Sequence, residues 1–157
     1  MNAREYNKCV RQFADDLYRF ALRYCGDGTE AEDAVQEVFL TLWERHNDIR
    51  IEGVKGYLVR LLYRRLVDLH RHHSLEQHHV KEEEPIYGPH ERFELRDALQ
   101  KALKQLPEEQ KVLVLLHDLE GYSYSEMAEL THLNEQQVGV YLWRGRKTLR
   151  KLLEDYR

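Results

Sequence analysis

The sequence predicts an all-α protein: two small helical domains joined by a flexible acidic linker, the second domain containing a helix-turn-helix. Three observations carry that reading. Apolar residues recur at helical rather than strand period over most of the 157 residues. Two capping signatures, Ser123-x-x-Glu126 and Asn134-x-x-Gln137, follow one another with only Thr131-His132-Leu133 as a tight turn before the second cap. The charge is also divided, with 12 basic against 12 acidic residues in 1–74, 1 against 5 in 75–91, and 11 against 11 in 92–157. The whole formal charge of -4 therefore belongs to the middle segment. The expected boundaries are a helical domain over 1–74, an acidic linker over 75–91 and a helix-turn-helix domain over 92–157.

In the first domain, Tyr6, Val10, Phe13, Leu17, Phe20, Ala21 and Tyr24 keep a helical period, and Gly26-Asp27-Gly28 stops it. Thr29-Glu30-Ala31-Glu32 reads as a capping box for a second helix, with Ala34, Val35, Val38, Leu42 and Trp43 inward. Asp33, Gln36, Glu37, Thr41 and Glu44 face the other way. His46 to Gly53 breaks the period and reads as a loop, after which Val54, Leu58, Leu61, Leu62, Leu66 and Leu69 define a third helix. That helix carries Lys55, Arg60, Arg64, Arg65 and Arg71 among Tyr57 and Tyr63. Rings that stack on bases and cations that follow the backbone suit single-stranded nucleic acid; the alternative is a solvated basic face with tyrosines at the core margin.

The segment after it has two prolines, a glycine, an acidic run and no apolar period, so it is expected to be extended or disordered in isolation. His70, His72, His73, His78 and His79 crowd the junction, but no cysteine or patterned carboxylate completes a metal site. Phe93, Leu95, Leu99, Ala102, Leu103 and Leu106 then form a helix stopped by Pro107, which suits the first turn of the next, Glu108 to Leu119. Val112, Leu113, Leu115, Leu116 and Leu119 of that helix close the core over the helix-turn-helix. Met127, Ala128 and Leu130 pack its first helix, and Val138, Leu142, Gly145, Leu149 and Leu152 form the inner stripe of its second. Gln136, Val140, Trp143, Arg144, Lys147 and Lys151 are left outside, amide first and cations after. Amides read base edges and cations neutralise phosphates, which is the order a recognition helix needs; a helical hairpin with a solvated basic end is the alternative.

No apolar run has transmembrane length, and M-N-A-R-E-Y lacks the apolar core of a signal peptide, so a cytoplasmic protein is expected. Cys9 and Cys25 lie on one expected helix about 24 Å apart, too far for a disulfide. No nucleophile–base pair, phosphate-cradling glycine loop or zinc spacing appears, which argues for a non-catalytic protein without a cofactor. With both flanking domains formally neutral, any DNA is not held by bulk electrostatics alone.

T-E-A-E-D-A-V-Q-E-V-F-L-T-L-W, Thr29 to Trp43, closely resembles the signature helix of bacterial extracytoplasmic-function sigma factors. L-P-E-E-Q-K-V-L-V-L from Leu106, and E-G-Y-S-Y-S-E-M-A-E from Glu120, resemble the start of their C-terminal domain. The match covers nearly the whole chain in the right order. It implies a sigma-two and a sigma-four domain that together direct promoter-specific initiation by core RNA polymerase, with an anti-sigma factor as a further partner. Under the resemblance, Asp33, Gln36, Glu37 and Leu40 face the polymerase clamp helices. The loop His46 to Gly53 with Tyr57, Arg60, Tyr63 and Arg64 reads the minus-ten element. Gln136, Gln137, Val140, Trp143, Arg144 and Lys147 contact the minus-thirty-five duplex. The resemblance also implies a linker that threads towards the polymerase active-site and RNA-exit channels; a solvated spacer is the alternative.

The chain also departs from the family. Tyr63-Arg64 stands where many members have Arg-Asn, although Asp68 keeps its place. Gly139-Val140-Tyr141 replaces the usual basic-Ser-basic trio, while Trp143, Arg144, Arg146 and Lys147 keep aromatic and basic positions. Two alternatives stay open on these residues: a stand-alone helix-turn-helix regulator, and a sigma-like decoy that occupies an anti-sigma factor.

Overall fold

The computed structural model describes residues 1–75 and 91–154. The chain divides into two compact units, Met1–Gln77 and His78–Arg157. All regular elements among the described residues are helical. Of the linker expected over 75–91, Leu75 and Glu91 belong to helices and the rest lies outside the described residues, as do the side chains of the histidine-rich junction.

Unit one consists of α1 (Ala3–Cys25), α2 (Gly28–Glu44) and α3 (Val54–Leu75), each packed against the other two. Asn2 caps α1 in a reciprocal box with Glu5, which satisfies amides that a helix start otherwise leaves bare. Gly26, at φ 72°, closes the helix by donating its N–H to the Leu22 carbonyl. Glycine enters this left-handed region without the Cβ clash that other residues meet. Leu17, Phe20, Ala21 and Tyr24 are buried as the period requires, joined by Cys9, whereas Tyr6, Val10 and Phe13 at the other end are half-buried.

The start and the inner face of α2 both differ from expectation. Its cap is Asp27, whose carboxylate accepts from the amides of Thr29 and Glu30; Thr29 is already inside the helix. With Gly26 ending α1 in the left-handed region, Asp27 is extended at once (φ -132°, ψ 120°) and ready to cap two residues earlier. Phe39 is buried beside Ala34, Val35, Val38 and Leu42, but Trp43, one turn further on, is exposed on the flank. The connection to α3 contains a short 3-10 turn, His46–Asp48, within the expected loop. On α3, Val54, Leu58, Leu62 and Leu66 are buried with Val59 and Val67, while Leu61 and Leu69 are half-buried.

Unit two contains α4 (Glu91–Gln105), α5 (Glu108–Asp118), α6 (Tyr124–Thr131) and α7 (Glu135–Leu152). Lys111, Val112, Leu113, Val114, Leu115 and Leu116 are all buried, so α5 is the central helix. Pro107 occupies the cap position before α5 rather than its first turn. The helix ends at Asp118, which leaves Leu119 outside the core and exposed. Leu95 also points outward; α4 contributes Ala98, Ala102 and Leu103 instead, with Leu106 just beyond its end.

Both expected capping boxes are present. Ser123 Oγ accepts from Glu126 N–H and Asn134 Oδ1 from Gln137 N–H, and each third residue returns a carboxylate or amide oxygen to the cap N–H. A reciprocal cap of this kind contributes roughly 1 kcal/mol. Between the two helices His132 adopts φ 61°, the left-handed turn that ends α6. Helix α7 then packs on α4, α5 and α6 through Val138, Leu142, Gly145 and Leu149.

Gly145 lies against α5 without room for a side chain. A Cβ there would meet Val114 Cγ2 at 3.0 Å and Gln110 Cβ at 3.2 Å, whereas one at Gly139 would meet Tyr124 Cε2 at 3.4 Å. Gly145→Ala is therefore expected to destabilise unit two by about 1–3 kcal/mol through overpacking, despite the gain in helix propensity. Gly139→Ala is expected to be neutral or to stabilise by up to about 1 kcal/mol. Urea unfolding of the full-length variants, followed with hydrogen exchange of α7, checks the opposite signs.

Candidate functional site

On α2, Asp33, Gln36, Glu37 and Leu40 recur at helical spacing and all four are exposed. Leu40 is 59% exposed, so an apolar side chain stands in water within a polar face. Glu37 is not a free charge. Its Oε2 lies 2.6 Å from Arg65 Nε on α3, and both side chains remain substantially exposed. Screened pairs of this kind contribute about 0–1 kcal/mol, so the bridge orients Glu37 more than it stabilises the unit.

Along α3, Tyr57, Arg60 and Tyr63 are half-buried and Arg64 is exposed. At about 100° per residue the four span one arc of the helix. The Tyr57 hydroxyl is buried and has no hydrogen-bond partner among the described residues, so the part of this side chain left at the surface is apolar. The α2–α3 connection is held by Met1 and by an aromatic cluster from α1 and α2. The Met1 ammonium donates to the carbonyls of His46 (3.0 Å) and Ile49 (3.2 Å). The Trp43 ring stacks on His46 with centroids 4.2 Å apart and meets Tyr6 edge-on at 5.0 Å, while the Tyr6 hydroxyl donates to the Phe39 carbonyl. Burial pushes the Tyr6 phenol up from its ordinary pKa. Trp43 and His46, three residues apart, offered a local sequence signal for this cluster; the part played by Tyr6 had none.

The third set lies on α7 in unit two. Gln136, Gln137, Val140, Trp143, Arg144 and Lys147 are all exposed. Gln137 spends its Oε1 on the Asn134 cap, which leaves its NH2 as the free end. Lys147 Nζ stands 5.0 Å from the centre of the Trp143 ring, and the Arg144 guanidinium 6.0 Å from that of Tyr141.

Arg146 behaves differently from the other cations of α7. Its Nη2 lies 2.6 Å from Asp118 Oδ1 and 2.9 Å from His117 Nδ1, and Asp118 Oδ1 is also 3.0 Å from that nitrogen. Tyr124 of α6 meets the His117 ring edge-on at 5.8 Å. Arg146 thus pins α7 to the end of α5, although its place in the family pattern groups it with the basic residues of the recognition helix. A partner 28 positions away leaves no local trace in the sequence.

Both units match family models. Residues 9–76 match Sigma-70 region 2 and residues 96–149 match Sigma-70 region 4. The extracytoplasmic-function sigma factor SigE of Mycolicibacterium smegmatis is 30% identical over 96% of this chain, which spans 62% of that protein's length. SigM of Bacillus subtilis is 23% identical over 93% of each chain. Among solved structures, the sigma factor RpoE of Bartonella quintana, in complex with the anti-sigma factor NepR, superposes with a TM-score of 0.78. It is 21% identical, with 99% of this chain and all of that one covered, which is a likeness of fold. The units and their matches define a protein of two units, each helical throughout its described residues. The chain belongs to the sigma-70 family, within its extracytoplasmic-function group.

The Arg146 pin carries a pH signature. Burial pushes the Asp118 carboxyl up, but the hydrogen bonds and charges of Arg146 and His117 outweigh it and hold the group below its ordinary 3.8. A lowered folded pKa contributes stability above the unfolded value, lost as pH falls through the folded one. Asp118→Asn should therefore flatten the loss of unit-two stability below pH 3.8, by under about 1 kcal/mol because the pair is screened. Urea midpoints of both proteins at pH 5 and pH 3 test it: equal drops would remove Asp118 from the account.

Proposed function

We propose that this chain is a promoter-specificity subunit that binds core RNA polymerase and directs transcription initiation. Unit one docks on the polymerase through Asp33, Gln36, Glu37 and Leu40 and holds the melted minus-ten strand with Tyr57, Arg60, Tyr63 and Arg64. Unit two holds the minus-thirty-five duplex with the outward face of α7. The observation that supports this best is that a region-two unit and a region-four unit stand in order on one chain. Each also presents an exposed face that its core does not use.

In this reading domains 1–74 and 92–157 work in the cytoplasm on either side of a tether over 75–91, and the chain itself catalyses nothing. No helix among the described residues is long and apolar enough to cross a membrane. The solved Bartonella relative is held by an anti-sigma factor, and we extend that class of partner to this chain.

Pull-down of core polymerase followed by run-off transcription tests the proposal as a whole. Leu40→Ala should weaken core binding by about 1–2 kcal/mol without unfolding unit one, because the side chain is already in water; unchanged capture would remove α2 from the polymerase surface. Tyr63→Ala should reduce permanganate reactivity of non-template thymines near minus ten, at a cost of about 1–3 kcal/mol for each base no longer stacked. Undiminished opening would reject that assignment.

A further inference from the structure

The outward face of α7 leaves two large apolar side chains in water. Val140 is 47% exposed and Trp143 is 61% exposed, while Val138, Leu142 and Leu149 of the same helix are buried. Three residues apart, Val140 and Trp143 are neighbours on the helix surface. Gln136 lies a turn before them, and Arg144 and Lys147 lie beyond. The Lys147 ammonium, 5.0 Å from the Trp143 ring, braces the indole against the helix. This is an apolar patch set between an amide and two cations.

Val140 has no atom that gives or takes a hydrogen bond in its side chain. Of the base edges in the major groove, only thymine presents an apolar group, its 5-methyl. Duplex DNA is also the occupant that the charge favours. Glu135 at the first position is the only acidic residue of α7, and Arg144, Lys147, Arg150 and Lys151 are exposed along its later turns. Such a helix suits a polyanion whose base edges meet the earlier turns.

We propose that Val140 and Trp143 form a thymine-methyl reader, so that apolar contact replaces part of the hydrogen-bonded readout on this helix. The proposal rests on unit two holding the minus-thirty-five duplex and adds what that duplex must contain. A thymine faces the sixth to ninth residues of α7. Arg144 and Lys147 hold the flanking phosphates and carry no share in the discrimination.

The test uses holoenzyme assembled from the full chain and core polymerase, with a duplex selected by that holoenzyme from a randomised minus-thirty-five pool. Replacing each thymine of the element by deoxyuridine removes the methyl and nothing else. Wild-type holoenzyme should lose affinity about fourfold for the methyl that is read, as expected for one buried carbon. The Val140→Ala, Trp143→Ala double variant should bind more weakly and should not distinguish thymine from uracil. Neither side chain belongs to the buried stripe of α7, so their removal leaves the core of unit two intact. Arg144→Ala should weaken binding yet keep the fourfold preference. If wild type binds the uracil and thymine duplexes alike while Arg144→Ala still weakens binding, the methyl reader is wrong and the duplex reading stands. If neither Arg144→Ala nor the double variant changes DNA affinity, the duplex reading itself is wrong, and this face serves a protein partner.

Discussion

What unit two presents to its surroundings depends on how closely α7 lies on α5. Gly145 has no Cβ to hold the helices apart, and an added one would stand 3.0 Å from Val114 Cγ2. Val138, Leu142 and Leu149 complete the stripe that this approach buries. Because α5 is enclosed on all sides from Lys111 to Leu116, α7 has no choice of which face to turn inward. The Arg146 contact with Asp118 and His117 fixes the rotation at one end, and the Asn134–Gln137 box fixes where the helix begins. The outward set from Gln136 to Lys147 follows from these constraints, which act on the other side of the helix.

The charge distribution limits what that face can do alone. Residues 1–74 and 92–157 are each formally neutral, and the excess negative charge sits between them. Counterion release, the usual source of affinity for DNA, is therefore small for the free chain. In the proposed role a polymerase that holds both domains makes the second DNA contact intramolecular, so two weak contacts combine into one strong one. Weak intrinsic binding then becomes useful, since promoters are engaged only through the enzyme that transcribes them.

Local chemistry was legible in the sequence, and long-range pairing was not. The boxes at Ser123 and Asn134 could be read from spacing because a cap involves only its own first turn. At α2 the spacing pointed to Thr29, but the cap is Asp27, two residues earlier, because the left-handed closure at Gly26 had already turned the chain. Trp43, Leu95 and Leu119 kept the apolar period yet lie outside the core, because periodicity does not separate the middle of a stripe from its flank. The outward positions of Asp33, Gln36 and Glu37 on α2 and of Gln136, Val140, Trp143, Arg144 and Lys147 on α7 could be read from the same pattern, whereas Tyr57, Arg60 and Tyr63 on α3 are half-buried. The partners of Glu37 and Arg146 come from neighbouring helices and leave no mark in spacing.

The central claim is that DNA recognition by this chain is a property of its complex with polymerase. Fluorescence anisotropy of a promoter fragment, titrated with the protein at one fixed salt concentration with and without core polymerase, addresses it directly. The account predicts weak, nearly sequence-indifferent binding by the free chain and tight, promoter-specific binding once core polymerase is present. Tight, sequence-specific binding by the chain alone would contradict it and favour a stand-alone regulator.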